Sequence, residues 1–204
     1  MRPMAHREAH PIAIRLDGDL RRPRLLVAFR PLLVLPHLCW LALWAVLVVP
    51  AALAAWVAAL SVGRVPARLH AFLASFVRAY AHVSAFLHLV GRPYPGFLGH
   101  VGSYPTDVTI APPALQGRLR VLARLVLALP ALLIACAYAL LALVAGVLGW
   151  CAALITGWMP AGLRDLGAAA LRYEAQTLGY ALLLTARYPD SSPGLDSPGV
   201  GEGG

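Results

Sequence analysis

Lysine is absent from this chain of 204 residues, and all 17 of its basic side chains are arginine. Acids are scarce too, nine in all, which leaves a formal net charge of +8. Charged residues make up 13% of the sequence, about half the roughly 25% that a soluble globular domain carries on its surface. None falls between Pro31 and Gly63, or between Leu125 and Gly157. The three cysteines, Cys39, Cys136 and Cys151, sit in these apolar runs without metal or redox spacing. No Ser-His-Asp set, carboxylate pair or phosphate-binding glycine loop is legible either. These absences predict a non-enzyme with no catalytic residues, no cofactor and no metal.

What is present is apolar. Hydrophobic residues reach 60% and the mean hydropathy is +0.71. Each charge-free run exceeds the ~20 residues that cross a hydrocarbon core of ~30 Å. The expectation is an integral membrane protein whose first partner is the lipid bilayer. The positive charge is no nucleic-acid signal, because the arginines flank the apolar runs. Arg2, Arg7, Arg15, Arg21, Arg22, Arg24 and Arg30 precede the first, while Arg92, Arg118, Arg120 and Arg124 precede the second. By the positive-inside rule both segments are cytoplasmic, so the chain should be multi-pass in the cell membrane with both termini cytoplasmic.

The chain is also written twice. Residues 11–95 align with 105–189 at an offset of 94 without a gap, and 26 of those 85 pairs are identical. Among them are Arg24/Arg118, Arg30/Arg124, Pro36/Pro130, Trp56/Trp150, Gly63/Gly157, Pro66/Pro160, Arg78/Arg172, Tyr94/Tyr188 and Pro95/Pro189. A repeat decides the architecture. The division is an N-terminal tail (1–9), a first membrane repeat (10–97), a linker (98–103), a second membrane repeat (104–189) and a disordered Ser/Pro/Gly-rich tail (190–204).

Within a repeat, period-2 alternation over 10–16 and 104–110 reads as a short cytoplasmic strand. A basic interfacial segment follows, Arg24 to Leu35 in the first copy. Helices of about 36–62 and 130–156 start at the matched prolines. Gly-x-x-Pro turns lead into second helices of about 66–91 and 160–186. The fold class is an all-α integral membrane protein. It has four transmembrane helices as two direct repeats, related by a pseudo-twofold along the membrane normal, plus short strands and interfacial segments. That twofold would pair the two strands antiparallel.

Two features of the helices bear on function. Small residues four apart form packing ridges, Ala51-Ala55-Ala59-Gly63 and Ala145-Gly149-Ala153-Gly157, which should face other helices rather than lipid. On the second helices Arg78 and His82, matched by Arg172 and Gln176, share an arc of about 120°. With Glu174 and Asp165 they form a candidate buried polar face. Arg78 lies twelve residues past Pro66, about 18 Å along its helix, so it and Arg172 should sit near mid-membrane as a symmetric pair. His37, His70 and His88 have no histidine counterparts and read as structural. Trp56 and Trp150 read as interfacial anchors.

The segment Thr156-Gly157-Trp158-Met159-Pro160-Ala161-Gly162-Leu163, then Leu171-Arg172-Tyr173, then Leu184-Thr185-Ala186-Arg187-Tyr188-Pro189, resembles a bacterial membrane family, domain of unknown function 4389. The first repeat resembles it more loosely through Trp56, Gly63, Pro66, Arg78, Tyr94 and Pro95, which implies two tandem copies. The resemblance implies architecture and no chemistry. The favoured function is a non-catalytic scaffold or accessory subunit, engaging a membrane-protein partner or a second copy of itself. The alternatives are a transporter or channel for a small anion or lipid headgroup lined by Arg78 and Arg172, and a membrane-lipid enzyme.

Overall fold

The computed structural model describes residues 12–14 and 20–190. The tails at 1–9 and 191–204, and the outer residues of the first strand, lie outside the described residues. The elements are β1 (Ile12–Ile14), α1 (Arg24–Val62), α2 (Ala67–Leu87), β2 (Val108–Ile110), α3 (Arg118–Thr156) and α4 (Ala161–Ala181). Two of them, α1 and the Val126–Thr156 stretch of α3, are long and apolar enough to cross a membrane.

The turns fall where the matched Gly and Pro residues place them. Gly63 and Gly157 end the long helices in the left-handed conformation, with φ of 76° and 81°, which a side chain would disfavour. Pro66 and Pro160 cap the helices that follow. The other boundaries differ from expectation. Each long helix starts twelve residues earlier than its matched proline, at Arg24 and Arg118, so the interfacial segment and the apolar run are one helix of 39 residues. Pro31, Pro36 and Pro50 lie inside α1, and Pro130 lies inside α3. The shorter helices stop at Leu87 and Ala181 instead of 91 and 186. There the chain turns through Leu89 and Leu183, both left-handed, with φ of 58° and 62°.

Along α1 the buried residues are Val27, Arg30, Val34, His37, Leu41, Trp44 and Val48. Their alternating spacing of three and four is the seam of a helix packed along one stripe. Further on, Ala55 and Ala59 are buried, as are Ala145, Gly149 and Ala153 of α3, while Ala51, Gly63 and Gly157 are half-buried. The small residues let partners come close. A Cβ on Gly149 would lie 2.6 Å from the Met159 sulfur.

The long helices run antiparallel, end to end. Arg24 Nη2 donates to Ile155 O (2.8 Å), and Arg118 Nη2 donates to Ser61 O (2.7 Å). The backbone repeats the pattern: Arg22 N–H bonds Gly157 O (2.9 Å), and Gln116 N–H bonds Gly63 O (2.8 Å). Each pair of bonds maps onto itself under the 94-residue offset. A twofold along the membrane normal keeps a spanning helix pointing the same way, so it would set α1 and α3 parallel. Their antiparallel course corrects the expected direction of that axis.

The strands pair antiparallel in the register Ile12↔Ile110, Ala13↔Thr109 and Ile14↔Val108, the last pair being 94 residues apart. Each strand lies on the other half's short helix. Gln176 Nε2 of α4 donates to Ile12 O (3.1 Å), and Arg78 Nε of α2 donates to Val108 O (3.1 Å). Trp56 and Trp150, expected as interfacial anchors, are instead half-buried clasps. Their indoles donate to Ala181 O (3.3 Å) and Val27 O (2.8 Å).

Candidate functional site

The expected polar face is divided among three places. On α2, His82 is fully buried and its Nε2 lies 3.0 Å from Asp107 Oδ1, just before β2. Arg78, half-buried, reaches the same strand through its Nε. On α4, Gln176 holds β1 through its amide nitrogen and accepts the Asp190 N–H at its oxygen (2.9 Å). Glu174, 7% exposed, accepts from the Tyr80 hydroxyl at 2.7 Å. Asp165 pairs with its exposed-side neighbour Arg164 (2.7 Å) and takes no part in the buried face. Arg172 is half-buried on α4.

What joins α2 to α4 is thus Tyr80 with Glu174, at positions 94 apart, whereas Arg78 is turned onto a backbone carbonyl. Tyr80 gave no sequence signal, because its counterpart is an acid and the offset compares identities rather than complementary pairs.

Arg30 and Arg124 are deeply buried cations, at 1% and 2% exposure, as is Arg22 at 2%. Their identity across the offset is plain in the sequence, but position before an apolar run makes them look like topology markers. In the fold they cap the short helices. Arg30 Nη1 donates to Phe86 O (2.7 Å) with its guanidinium 4.4 Å from the Phe86 ring centre. Arg124 Nη1 donates to Tyr180 O (3.4 Å) with its guanidinium 4.7 Å from the Tyr180 ring. A carbonyl at a helix C-terminus carries partial negative charge and no helical donor, so a planar cation over an aromatic ring suits it.

A second matched pair of clasps lies beside them. Arg22 Nη2 donates to Leu89 O (3.1 Å), and Gln116 Nε2 donates to Leu183 O (2.9 Å). Both acceptors are the left-handed leucines. Arg22 and Gln116 differ in type, so an identity match misses them.

His37 is buried, with Nε2 2.9 Å from Pro95 O and its ring stacked 4.2 Å from Phe97. It fastens the 92–106 loop onto α1, and Tyr94 adds a bond to Leu33 O (3.3 Å). Among the described residues, no three His, Cys, Asp or Glu side chains converge on a metal-sized position.

A family model described as Domain of unknown function (DUF4389) matches residues 118–191. That segment resembles one copy of the domain. It spans α3, the Gly157–Pro160 turn, α4 and the clasp at Leu183, and it is less than half of the chain. The expected tandem copy over residues 10–97 lies outside the match. No curated protein and no solved structure matches the chain.

Proposed function

We propose that this chain is an integral membrane protein serving as a non-catalytic scaffold. Its two halves are copies of one unit, related by a pseudo-twofold. The observation that carries the membrane reading is the outward surface of the long helices. From Pro31 to Leu60, and from Val126 to Ile155, every exposed side chain is apolar, including Leu43, Val46, Leu53, Leu133, Leu140 and Val147. Without lipid this surface would far exceed the apolar patches that soluble monomers tolerate. The paired bonds at the 94-residue offset support the duplicated unit. Binding to a membrane-protein partner or to a second copy is part of the proposal.

The arrangement favours a different topology from four crossings. A helix of 39 residues is about 58 Å long, nearly twice the ~30 Å core, and α1 and α3 expose leucines along their whole length. Arginines stand at both ends of each: Arg24 against Arg64 and Arg68, Arg118 and Arg120 against Arg164. Charge at both ends suits helices sunk steeply tilted into one side of the bilayer, with both ends at the cytoplasmic surface. The 92–106 loop and the strands then face water. An irregular exposed loop is not tolerated in hydrocarbon, and exposed Gly102 and Ser103 belong to that loop.

Single cysteines at Arg64 and Arg164, in a chain cleared of its three native cysteines, test this. Membrane-impermeant maleimide should label both only after the cells are opened. Labelling of both from outside intact cells restores the four-crossing topology. Release of the protein by alkaline carbonate would remove the membrane reading altogether.

A further inference from the structure

The matched arginines Arg30 and Arg124 do the same structural work, yet their surroundings differ in one respect. Both terminal nitrogens of Arg30 are held by protein: Nη1 bonds Phe86 O and Nη2 bonds Arg92 O (3.3 Å). Arg124 makes only the bond to Tyr180 O, and among the described residues its other N–H groups have no acceptor. Its second carbonyl is missing because the chain leaves α4 by another route. After α2, Gly91 N–H bonds Ala85 O; after α4 it is Leu184 N–H that bonds Gly179 O, one residue early under the offset. In place of that carbonyl is an open cavity of about 430 Å³ against Arg124.

Three substitutions around this cavity open it and line it with polar groups. Arg120 replaces Leu26, adding an exposed cation to the rim. Tyr180 replaces Phe86, adding a hydroxyl to the ring beneath the guanidinium. Ala186 replaces Arg92, removing bulk. Tyr188, edge-on to Tyr180 at 5.5 Å, completes the wall, and half-exposed Leu127 continues it onto the apolar face of α3. A buried guanidinium with spare donors, a second cation and two phenols form a receptor for an anionic oxygen group. The apolar continuation suits an acyl chain.

We propose that this cavity binds a phosphate group, presented as the headgroup of an anionic phospholipid, with Arg124 and Arg120 as its two cationic contacts. The lipid source rests on the membrane reading above, while the phosphate chemistry does not. In the first half the Arg92 carbonyl holds the corresponding nitrogen, so the duplicated unit has one structural arginine and one binding arginine.

The test is native mass spectrometry of the full chain in detergent, titrated with dioleoyl phosphatidylglycerol, dioleoyl phosphatidylcholine or inorganic phosphate. One phosphatidylglycerol per chain should bind, in preference to phosphatidylcholine. Arg120→Ala, at an exposed position, should weaken it by about tenfold, the loss of one charge-assisted contact. Arg124→Lys should weaken it similarly. Arg30→Lys, whose fork is filled by carbonyls, should leave affinity unchanged. Inorganic phosphate that binds with the same variant pattern, where phosphatidylglycerol does not, supports the site and names a soluble ligand. Equal binding of both lipids, or affinity indifferent to Arg120→Ala and Arg124→Lys in protein that melts like the parent, overturns the proposal. Neither result alters the carbonate test of membrane insertion.

Discussion

The indole nitrogen of Trp150 donates to the carbonyl oxygen of Val27, and Pro31 is why that oxygen needs a donor. In an α-helix the carbonyl of residue 27 accepts from the N–H of residue 31, which proline lacks. Val27 is fully buried, so the orphaned acceptor has no water to turn to. In the other half the offset places Leu125 where Pro31 stands, so Val121 O keeps its helical donor, and Trp56 is released to hold Ala181 O.

This relationship makes Trp150 and Pro31 energetically coupled. Trp150→Phe should destabilise the protein in detergent by about 1–3 kcal/mol, the cost of leaving a buried acceptor unpaired. In a Pro31→Leu background, which restores the N–H, the same change should cost much less. Thermal melts of the four proteins give the coupling. Equal costs in both backgrounds would falsify this account.

Tyr80 and Glu174 should behave asymmetrically. Tyr80→Phe removes the donor and leaves a carboxyl group buried without its partner, a loss of about 1–3 kcal/mol. Glu174→Gln keeps an oxygen for the hydroxyl and should cost less. If the two variants melt alike, the contact between α2 and α4 does not depend on this bond.

Two glycines of α4 offer a packing test. A Cβ on Gly179 would collide with the Ile12 side chain, whereas one on Gly162 meets nothing within 4 Å. Gly179→Val should therefore displace β1 and destabilise by about 1–3 kcal/mol. Gly162→Val should stay near the parent. Hydrogen exchange at β2 should rise in the first variant only, and unchanged protection there would place β1 elsewhere.

Arg30→Lys should destabilise more than Arg124→Lys. A lysine cannot hold both Phe86 O and Arg92 O in one plane, whereas at 124 only one carbonyl is engaged. A thermal-shift comparison in detergent, free of added phospholipid, decides it. The reverse order would mean that Arg124 carries structural bonds of its own.

The sequence makes the turns legible because Gly63, Gly157, Pro66 and Pro160 act through their own backbone. It misplaces the starts of α1 and α3 because the matched prolines Pro36 and Pro130 read as helix starts, whereas both lie inside helices that begin at Arg24 and Arg118. The polar face divides for a similar reason. A helical wheel gathers Arg78 and His82 correctly on one side of α2, yet cannot say that a strand from the other half will cover that side. Arg30 and Arg124 are the sharpest case. Their identity is visible, but a cation before an apolar run looks the same whether it marks an interface or caps a buried helix end.

The exchange of strands between halves has one more consequence. A unit present as a single copy would have its strand without a helix to lie on, and its Gly63 carbonyl without a Gln116 to answer it. Such a chain could complete itself only by pairing with a sister chain about a twofold axis. On the duplicated-unit reading proposed above, fusion of two copies would turn that dimerisation into a folding step, with each half present at the other's side from synthesis onward. Freed from having to match itself, each half could then diverge, as Leu26 and Arg120 have done.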